Sequence, residues 1–360
     1  MSRGLTPEMV WYDPFGDDLP ETELEKRALT IETGVPLTGA VTVGEVVAAT
    51  FGDGSIRFFR PNEEIISTQA HNGAVLCVVA DACGVLTGGD DGRFLRIFPD
   101  GKIEEIATFG SRWVDCVAAC VGRWACSSGK YVHIWRQGEA AATSLEHVST
   151  IGGLAFDASG ERLAVAHYGG VTLWELNGRS WTRSQLNWKG SHGALSFSPN
   201  DRYLVSTMQE NALHGWRLVD GMADMAMAGY PAKVKNFAWA GDTPHLVTSG
   251  AEELICWPFD GPDGPMGRSP LCLARCRGNL VTCVQSLNTT NAAFSGFRDG
   301  LVLLSELNDA KELVVVRRST GSEVTAIAVT SSFSHLLIGD TGGTVFWTRF
   351  WLGGDHVRNV

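Results

Sequence analysis

The stretch Ser206-Thr-Met-Gln-Glu210-Asn-Ala-Leu-His-Gly-Trp216 runs from strand-like residues through a tight polar turn into a short strand that ends in tryptophan. This pattern occurs eight times along the chain, and the strand ends in tryptophan at five of the eight positions. The clearest other copies are Ala49–Phe59, Ala125–Trp135, Ala164–Trp174 and Ser295–Ser305. A unit that recurs at a nearly fixed period indicates a repeat architecture.

The spacing of the strand ends identifies the kind of repeat. The eight ends are Phe59, Phe98, Trp135, Trp174, Trp216, Trp257, Ser305 and Trp347, and they are separated by 39, 37, 39, 42, 41, 48 and 42 residues. One four-stranded propeller blade takes roughly 40 to 45 residues. The period therefore predicts an all-β chain that forms a single closed β-propeller of four-stranded blades.

The repeats resemble those of the WD-repeat family. The resemblance is fullest where His71 precedes the apolar run Val75–Val79 and is followed by Thr87-Gly-Gly-Asp90-Asp91-Gly and Arg96-Ile-Phe98. A second good copy contains His192, Ser206, Glu210 and Trp216. The resemblance covers about residues 28 to 351. No repeat has the complete family set, because repeat two ends in phenylalanine and repeat five has glutamate in place of aspartate.

The resemblance implies that certain residues hold each blade together through hydrogen bonds, and we call these residues blade pins. In the family, a histidine before the innermost strand, a serine or threonine, an acidic turn residue and the tryptophan form this set. Mapped onto this sequence, the predicted blade pins are His71, His192, Ser206, Glu210, Trp216, Trp135, Trp174, Trp257 and Trp347.

The number of repeats predicts the number of blades. Eight repeat cores favour eight blades. Repeat one, Ala40 to Phe59, is compressed, so a ring of seven blades with one aberrant hairpin is the alternative. In either case each blade buries its faces against its neighbours, so a length of 360 residues does not require a second domain.

Three segments lie outside the regular repeats. Residues 1–27 form an acidic tail that contains Trp11, Tyr12 and Phe15, and we expect the tail to be disordered, to lie along the rim or to dock into a partner. Residues 28–34 alternate as a strand does and are predicted to complete the last blade of a domain that spans residues 28–351. Residues 352–360 form a C-terminal tail. The Gly- and Pro-rich segment 258–270 is predicted to be a surface loop.

Composition narrows the function classes. Acidic residues outnumber basic ones by 40 to 29, which gives a net charge of −11, and no basic run appears. Nucleic-acid binding needs a basic surface, so DNA and RNA are not expected as ligands. No signal-peptide or membrane-spanning stretch is present in the sequence, and the nine cysteines suit a reducing compartment. These features predict a cytoplasmic protein that does not bind membranes.

No catalytic or metal-binding motif stands out. Cys116 and Cys120 lie four positions apart and share one face of a strand, but no histidine or cysteine pair with zinc-site spacing accompanies them. The sequence therefore predicts no enzyme activity, no metal and no cofactor.

The turns of the upper rim carry the candidate binding residues. In the family, the loops that lead into the innermost strands and the turns between second and third strands share one face of the ring. Aromatic residues beside arginine are typical of protein-binding hot spots. The residues predicted to bind a partner there are Arg112, Trp113, His167, Tyr168, Trp188, Lys189, Tyr230, Lys233, Phe297 and Arg298.

These observations favour a non-catalytic scaffold or adaptor that binds a protein or peptide on its upper rim and is monomeric by itself. One alternative is a structural subunit of a larger complex. A further alternative is an enzyme or small-molecule sensor whose site lies in the central channel.

Overall fold

A computed structural model describes residues 19–219, 223–241, 244–287, 290–308 and 313–350, which form a ring of β-sheets and one short helix. The aromatic residues Trp11, Tyr12 and Phe15 and the tail 352–360 lie outside the described residues.

The elements follow one another in a simple order along the chain. The helix α1 (Glu23–Lys26) and strand β1 (Leu29–Glu32) come first. The strands that follow are β2 (Leu37–Val43), β3 (Val46–Phe51), β4 (Ser55–Phe59), β5 (Ile66–Gln69), β6 (Val75–Ala80), β7 (Val85–Gly89), β8 (Arg93–Ile97), β9 (Ile103–Thr108), β10 (Val117–Cys120), β11 (Arg123–Ser128), β12 (Tyr131–Arg136), β13 (Thr143–Glu146), β14 (Gly153–Phe156), β15 (Arg162–Asn177), β16 (Ser180–Phe197), β17 (Tyr203–Met208), β18 (Ala212–Arg217), β19 (Ala223–Ala228), β20 (Phe237–Ala240), β21 (His245–Thr248), β22 (Leu254–Pro258), β23 (Leu271–Leu273), β24 (Val281–Leu287), β25 (Ala292–Phe297), β26 (Val302–Glu306), β27 (Leu313–Arg317), β28 (Val324–Val329), β29 (His335–Asp340) and β30 (Thr344–Arg349).

Neighbouring strands pair antiparallel into the seven sheets of a β-propeller, which we number as blades. Blade 1 is β2–β5, blade 2 is β6–β9, blade 3 is β10–β13, blade 4 is β14–β19, blade 5 is β20–β23, blade 6 is β24–β27, and blade 7 is β28–β30 with β1. Six blades have four strands and blade 4 has six. The predicted all-β propeller of four-stranded blades is thus confirmed as an architecture.

The preferred count of eight blades is wrong, because the residues that the structure describes form seven sheets, which was the alternative. The aberrant hairpin expected in repeat one is not the reason, because that repeat forms the complete blade 1. Instead, repeats four and five share the long strands of blade 4. β15 turns back at Gly169 (φ +93°) and Gly170 (φ +140°). Because of this turn, residues on either side of it come together, and Leu176 N donates to Glu161 O at 2.8 Å. β16 then pairs with β15 through its first part and with β17 through its second.

Two segments far apart in sequence complete blade 7. β1 pairs with β30 along the whole of β1, from Leu29 opposite Trp347 to Glu32 opposite Thr344. The chain then passes through Thr33, whose backbone N–H donates to Gly343 O, and enters β2. Because β2 begins blade 1, this pairing joins the two ends of the ring.

The segment 19–27 does not behave as a separate tail. Thr22 caps α1, and its hydroxyl donates to Val316 O at 3.1 Å. Leu24 is 1% exposed and packs in the core between blades 6 and 7. The carboxylate of Glu25 accepts from both the backbone and the guanidinium of Arg318. An apolar side chain and a capped turn therefore tie residues 22–25 to blades 6 and 7.

The packing corrects the register of two repeats. Trp135, Trp174 and Trp216 each pack against the preceding repeat, in the clusters of Phe94, Val132 and Ala164 respectively. Trp347 instead packs against Phe59 of blade 1, the following blade, with ring centroids 5.6 Å apart.

In the last repeat, Phe346 packs toward the preceding blade, and in repeat two Ile97 does so. Ile97 and Phe346 each lie six residues after an aspartate of the turn, Asp91 and Asp340. The predicted strand ends Phe98 and Trp347 are therefore one residue too late.

Candidate protein-interaction surface

The predicted pin of repeat two is formed by three side chains. His71 is fully buried, and its Nδ1 donates to Asp91 Oδ1 at 2.9 Å while its Nε2 accepts from the Thr87 hydroxyl at 2.9 Å. Burial lowers the pKa of His71, although the carboxylate of Asp91 opposes the shift. The neutral ring therefore bridges the loop before β6 and the turn after β7.

Blade 4 contains two further pins. Trp174 Nε1 donates to His147 Nε2 at 3.0 Å. In the second half of the blade, Ser206 donates to His192 Nδ1 at 2.7 Å, and His192 Nε2 donates to the Trp188 carbonyl at 3.1 Å. The predicted pin Glu210 is exposed in the turn and lies beside Gly190. The histidine in this repeat is thus held by a backbone carbonyl rather than by the acidic residue.

Tyr230 is a structural residue and not a surface anchor. Its side chain is 8% exposed, its hydroxyl accepts from Trp257 Nε1 at 2.6 Å, and it donates to Thr248 Oγ1 at 2.7 Å. Burial raises the pKa of Tyr230 to about 12. Tyr230 therefore takes the place that histidine holds in repeats two, four and five, a role that sequence reasoning missed because it searched only for histidine.

Two more predicted rim residues are buried. Phe297 has no exposed surface, and His167 is enclosed by Thr172, which donates to Nε2, and by the Tyr168 carbonyl, which accepts from Nδ1. Lys233 is exposed and donates to Gln209 Oε1 at 2.7 Å. Phe297 and His167 therefore do not present their side chains to a partner.

The exposed apolar residues of the upper face cluster on one side of the ring. Trp113 is 60% exposed, Tyr168 62% and Trp188 36%. Val148, which the sequence interpretation did not include, is 81% exposed in the loop before β14. We call these four residues the upper arc. Trp113 lies in the loop before β10 and Val148 in the loop before β14, whereas Tyr168 lies in β15 beside its turn at Gly169 and Trp188 lies within β16.

Contacts connect the segments that carry three members of the upper arc, Val148, Tyr168 and Trp188. Tyr168 N donates to Ser149 Oγ at 3.2 Å, which places it beside the loop of Val148. On its other side, Tyr168 is the pairing partner of Ser191, three residues after Trp188. The Trp188 ring stacks on His214 with centroids 3.9 Å apart. The exposed ring of Trp188 thus rests on the buried ring of His214.

Exposed cations accompany the aromatic residues. Arg112 precedes Trp113 and Lys189 follows Trp188, and neither forms an ion pair with any described residue. The pKa of His133 is lowered by burial and by the positive charge of Arg112, so Arg112 lies near this strand. On the opposite side of the upper face, Arg298 is exposed, and Lys235 pairs with Glu323 at 2.8 Å.

The described residues contain no group of three or more His, Cys, Asp or Glu side chains that could hold a metal ion. Cys116 and Cys120 are free, and burial raises their pKa values to about 12 and about 11, so both remain thiols. Within the same residues, no helix is long and apolar enough to cross a membrane.

The loop 258–270 is fixed to blade 4. The Tyr203 hydroxyl lies 2.7 Å from Gly261 O, and Arg217 pairs with Asp263 at 2.7 Å. Arg268 and Asp260 form an ion pair within the loop. Together these contacts hold the insertion against the flank of the ring, away from the upper arc.

Comparisons with known proteins agree with the fold. The C-terminal WD40 domain of Sif2 superposes with a TM-score of 0.71 at 11% identity, over 91% of this chain and 98% of that domain. The computationally designed Ika8 protein gives a TM-score of 0.70 at 16% identity, over 89% of this chain and 98% of the designed one. No protein-family model and no curated protein matches the sequence. The resemblance to WD repeats is confirmed, and these identities establish the fold alone.

Proposed function

We propose that this propeller is a non-catalytic interaction platform that binds a protein or peptide partner through the upper arc. WD40 propellers commonly bind protein partners, but a fold does not by itself assign a function. The observation that carries the proposal is the exposure of Trp113, Val148, Tyr168 and Trp188 in blades 3 and 4.

The chemistry of the upper arc suits a protein ligand. Large aromatic side chains supply most of the binding energy at interfaces, and they do so when neighbouring contacts exclude water. Arg112 and Lys189 add positive charge at two points along the arc. A partner segment with apolar side chains and nearby carboxylates would match both features. We place the function in the cytoplasm, and we propose that the protein is a monomer when it is not bound.

The test compares two double variants. Trp113→Ser with Tyr168→Ser removes two exposed anchors of the upper arc. Val121→Ser with Met266→Ser removes two exposed apolar side chains that lie outside the upper arc, and serves as the matched control. Affinity purification from the native source identifies the partner, and titration calorimetry then measures its affinity for each variant.

The proposal predicts that the arc variant loses the partner and the control retains it. Each anchor should contribute more than about 1 kcal/mol, so the dissociation constant should rise at least about fivefold for each. Equal melting temperatures would show that both variants are folded. A partner that binds the arc variant as tightly as the parent contradicts the proposal.

A further inference from the structure

A cavity of about 480 Å³ opens on the flank of the ring between blades 4 and 5. Ligand pockets generally measure about 300 to 1,000 Å³. A second cavity, between blade 3 and blade 4, measures about 250 Å³ and falls below that range. The residues that line the larger cavity include Tyr230, Pro231, Glu252, Glu253, Ile255 and Trp257, and we call it the flank pocket.

The flank pocket exists because the outer strand of blade 5 is short. β23 has three residues and pairs only with Leu254, Ile255 and Cys256 of β22. No residue of β23 lies opposite Trp257, so this indole is less buried than Trp135, Trp174 or Trp216. Its Nε1 is already bonded to Tyr230. The indole therefore offers a ring surface to the pocket without an unpaired polar atom.

The carboxylate residues Glu252 and Glu253 line the flank pocket together with Trp257. Glu253 lies 3.9 Å from Arg275, which also lines the pocket. The carboxylate of Glu252 forms no hydrogen bond or ion pair with the described residues, and the turn that carries it is fixed because Cys276 N donates to Glu252 O. An aromatic wall with a free carboxylate favours a cation that has a flat or aliphatic body.

The chain itself shows how a flank groove of this ring is filled. Between blades 6 and 7, α1 inserts Leu24 into the groove and presents the carboxylate of Glu25 to Arg318. The flank pocket has the opposite charge, because its free group is the carboxylate of Glu252. An occupant of the flank pocket would therefore need an apolar stem and a cationic end.

We propose that the flank pocket binds an arginine side chain of a partner polypeptide. The methylene stem and the planar guanidinium stack on Trp257, and the guanidinium donates to the carboxylate of Glu252. Arginine fits better than lysine because its planar fork can stack on a ring and bond a carboxylate at the same time. This site is separate from the upper arc and does not depend on it.

Saturation-transfer NMR on the full chain tests the proposal with N-acetyl-arginine amide as the probe. N-acetyl-citrulline amide, a neutral side chain of nearly the same shape, is the matched ligand control. The protein variants are Glu252→Gln, Glu252→Lys and, as the matched control, Glu63→Gln, which changes an exposed carboxylate on another blade. Each variant is first checked for an unchanged melting temperature.

We expect the arginine probe to bind the parent with a dissociation constant of about 1 mM, as suits a ligand of this size. Glu252→Gln should weaken binding about fivefold or more, Glu252→Lys should abolish it, and Glu63→Gln should leave it unchanged. The citrulline probe should bind far more weakly than the arginine probe. No binding of the arginine probe, equal binding of the two probes, or an unchanged dissociation constant in Glu252→Gln would each overturn the proposal.

Discussion

The groove between blades 6 and 7 and the groove between blades 4 and 5 are both flank grooves of one ring, yet only the first is filled by the chain. Leu24 fills the first groove. Its helix α1 contacts Val316 and Arg318, which lie about 290 residues further along the chain. In the second, the short strand β23 leaves Trp257 partly open. The comparison shows that a blade interface needs a cover on its flank for full burial, and that an uncovered flank is available for binding.

The largest expected effect concerns the buried ion pair at the filled groove. Arg317 is 2% exposed, pairs with Asp340 at 3.3 Å, and donates to Gly300 O through Nε and Nη2. Arg317→Ala leaves the Asp340 carboxylate buried without its counter-ion, which should cost about 3 to 5 kcal/mol. Urea unfolding measures the loss. Arg349→Ala, at an exposed arginine of the neighbouring blade 7, is the control, and an equal midpoint for the two variants would contradict the prediction.

Leu24→Ala tests whether α1 is a true cover of the filled groove. Truncation of a buried leucine usually costs about 2 to 5 kcal/mol, because apolar contacts are lost and a cavity remains. The melting temperature should fall clearly below that of the parent. Glu23→Ala changes an exposed residue of the same helix and should have little effect. If Leu24→Ala melts with the parent, the helix does not stabilise the ring.

Lowering the pH should reduce the stability of blade 4 before it reduces that of blades 6 and 7. Burial lowers the pKa of His214 to about 4, and the nearby His192 contributes to the shift. The pKa of His147 also falls to about 4 through burial and through His167. Because the folded state keeps these rings neutral, their contribution to stability is complete above the ordinary histidine pKa of about 6.5 and is lost as the pH falls from there toward 4.

For His214, the loss at pH 5 should be about 1 to 2 kcal/mol. His214→Phe keeps a ring beneath Trp188 and removes the titrating group, so its stability should depend less on pH than that of the parent. Amide hydrogen exchange at pH 7 and pH 5 measures the local change. Faster exchange in blade 7 than in blade 4 at pH 5 would reverse the expected order.

The sequence was sufficient to predict the propeller architecture but not the contacts that cover the flanks of the ring. A period near 40 residues predicts four-stranded blades because each repeat must bury its faces on its neighbours. The fusion in blade 4 depends on Gly169 and Gly170, whose backbone conformation the residue pattern did not reveal. The packing of Leu24 depends on residues about 290 positions away, and a local reading of an acidic segment does not detect such a contact.

Position in the repeat did not decide whether a candidate side chain is exposed, because packing against the neighbouring blade decides its exposure. Trp113, Tyr168 and Trp188 are exposed, although Tyr168 and Trp188 lie within β15 and β16 and not in loops. Tyr230 and Phe297 lie in comparable positions, but Tyr230 bonds Trp257 and Thr248, and Phe297 packs between blades 5 and 6. Whether a turn aromatic covers its own blade or faces solvent depends on the neighbouring blade, which residue types alone do not specify.

The smallest effect concerns the wall of the open groove. Tyr230→Phe removes the hydroxyl that accepts from Trp257 and donates to Thr248. The ring remains in place, so no cavity forms, and the loss should be about 1 kcal/mol, the usual net value of hydrogen bonds of this kind. Tyr168→Phe removes an exposed hydroxyl and should not change the midpoint of urea unfolding. Since the Trp257 indole would lose its partner, the arginine probe should also bind the Tyr230→Phe variant more weakly. A variant that matches the parent in both measurements would show that Tyr230 neither holds Trp257 nor shapes the flank pocket.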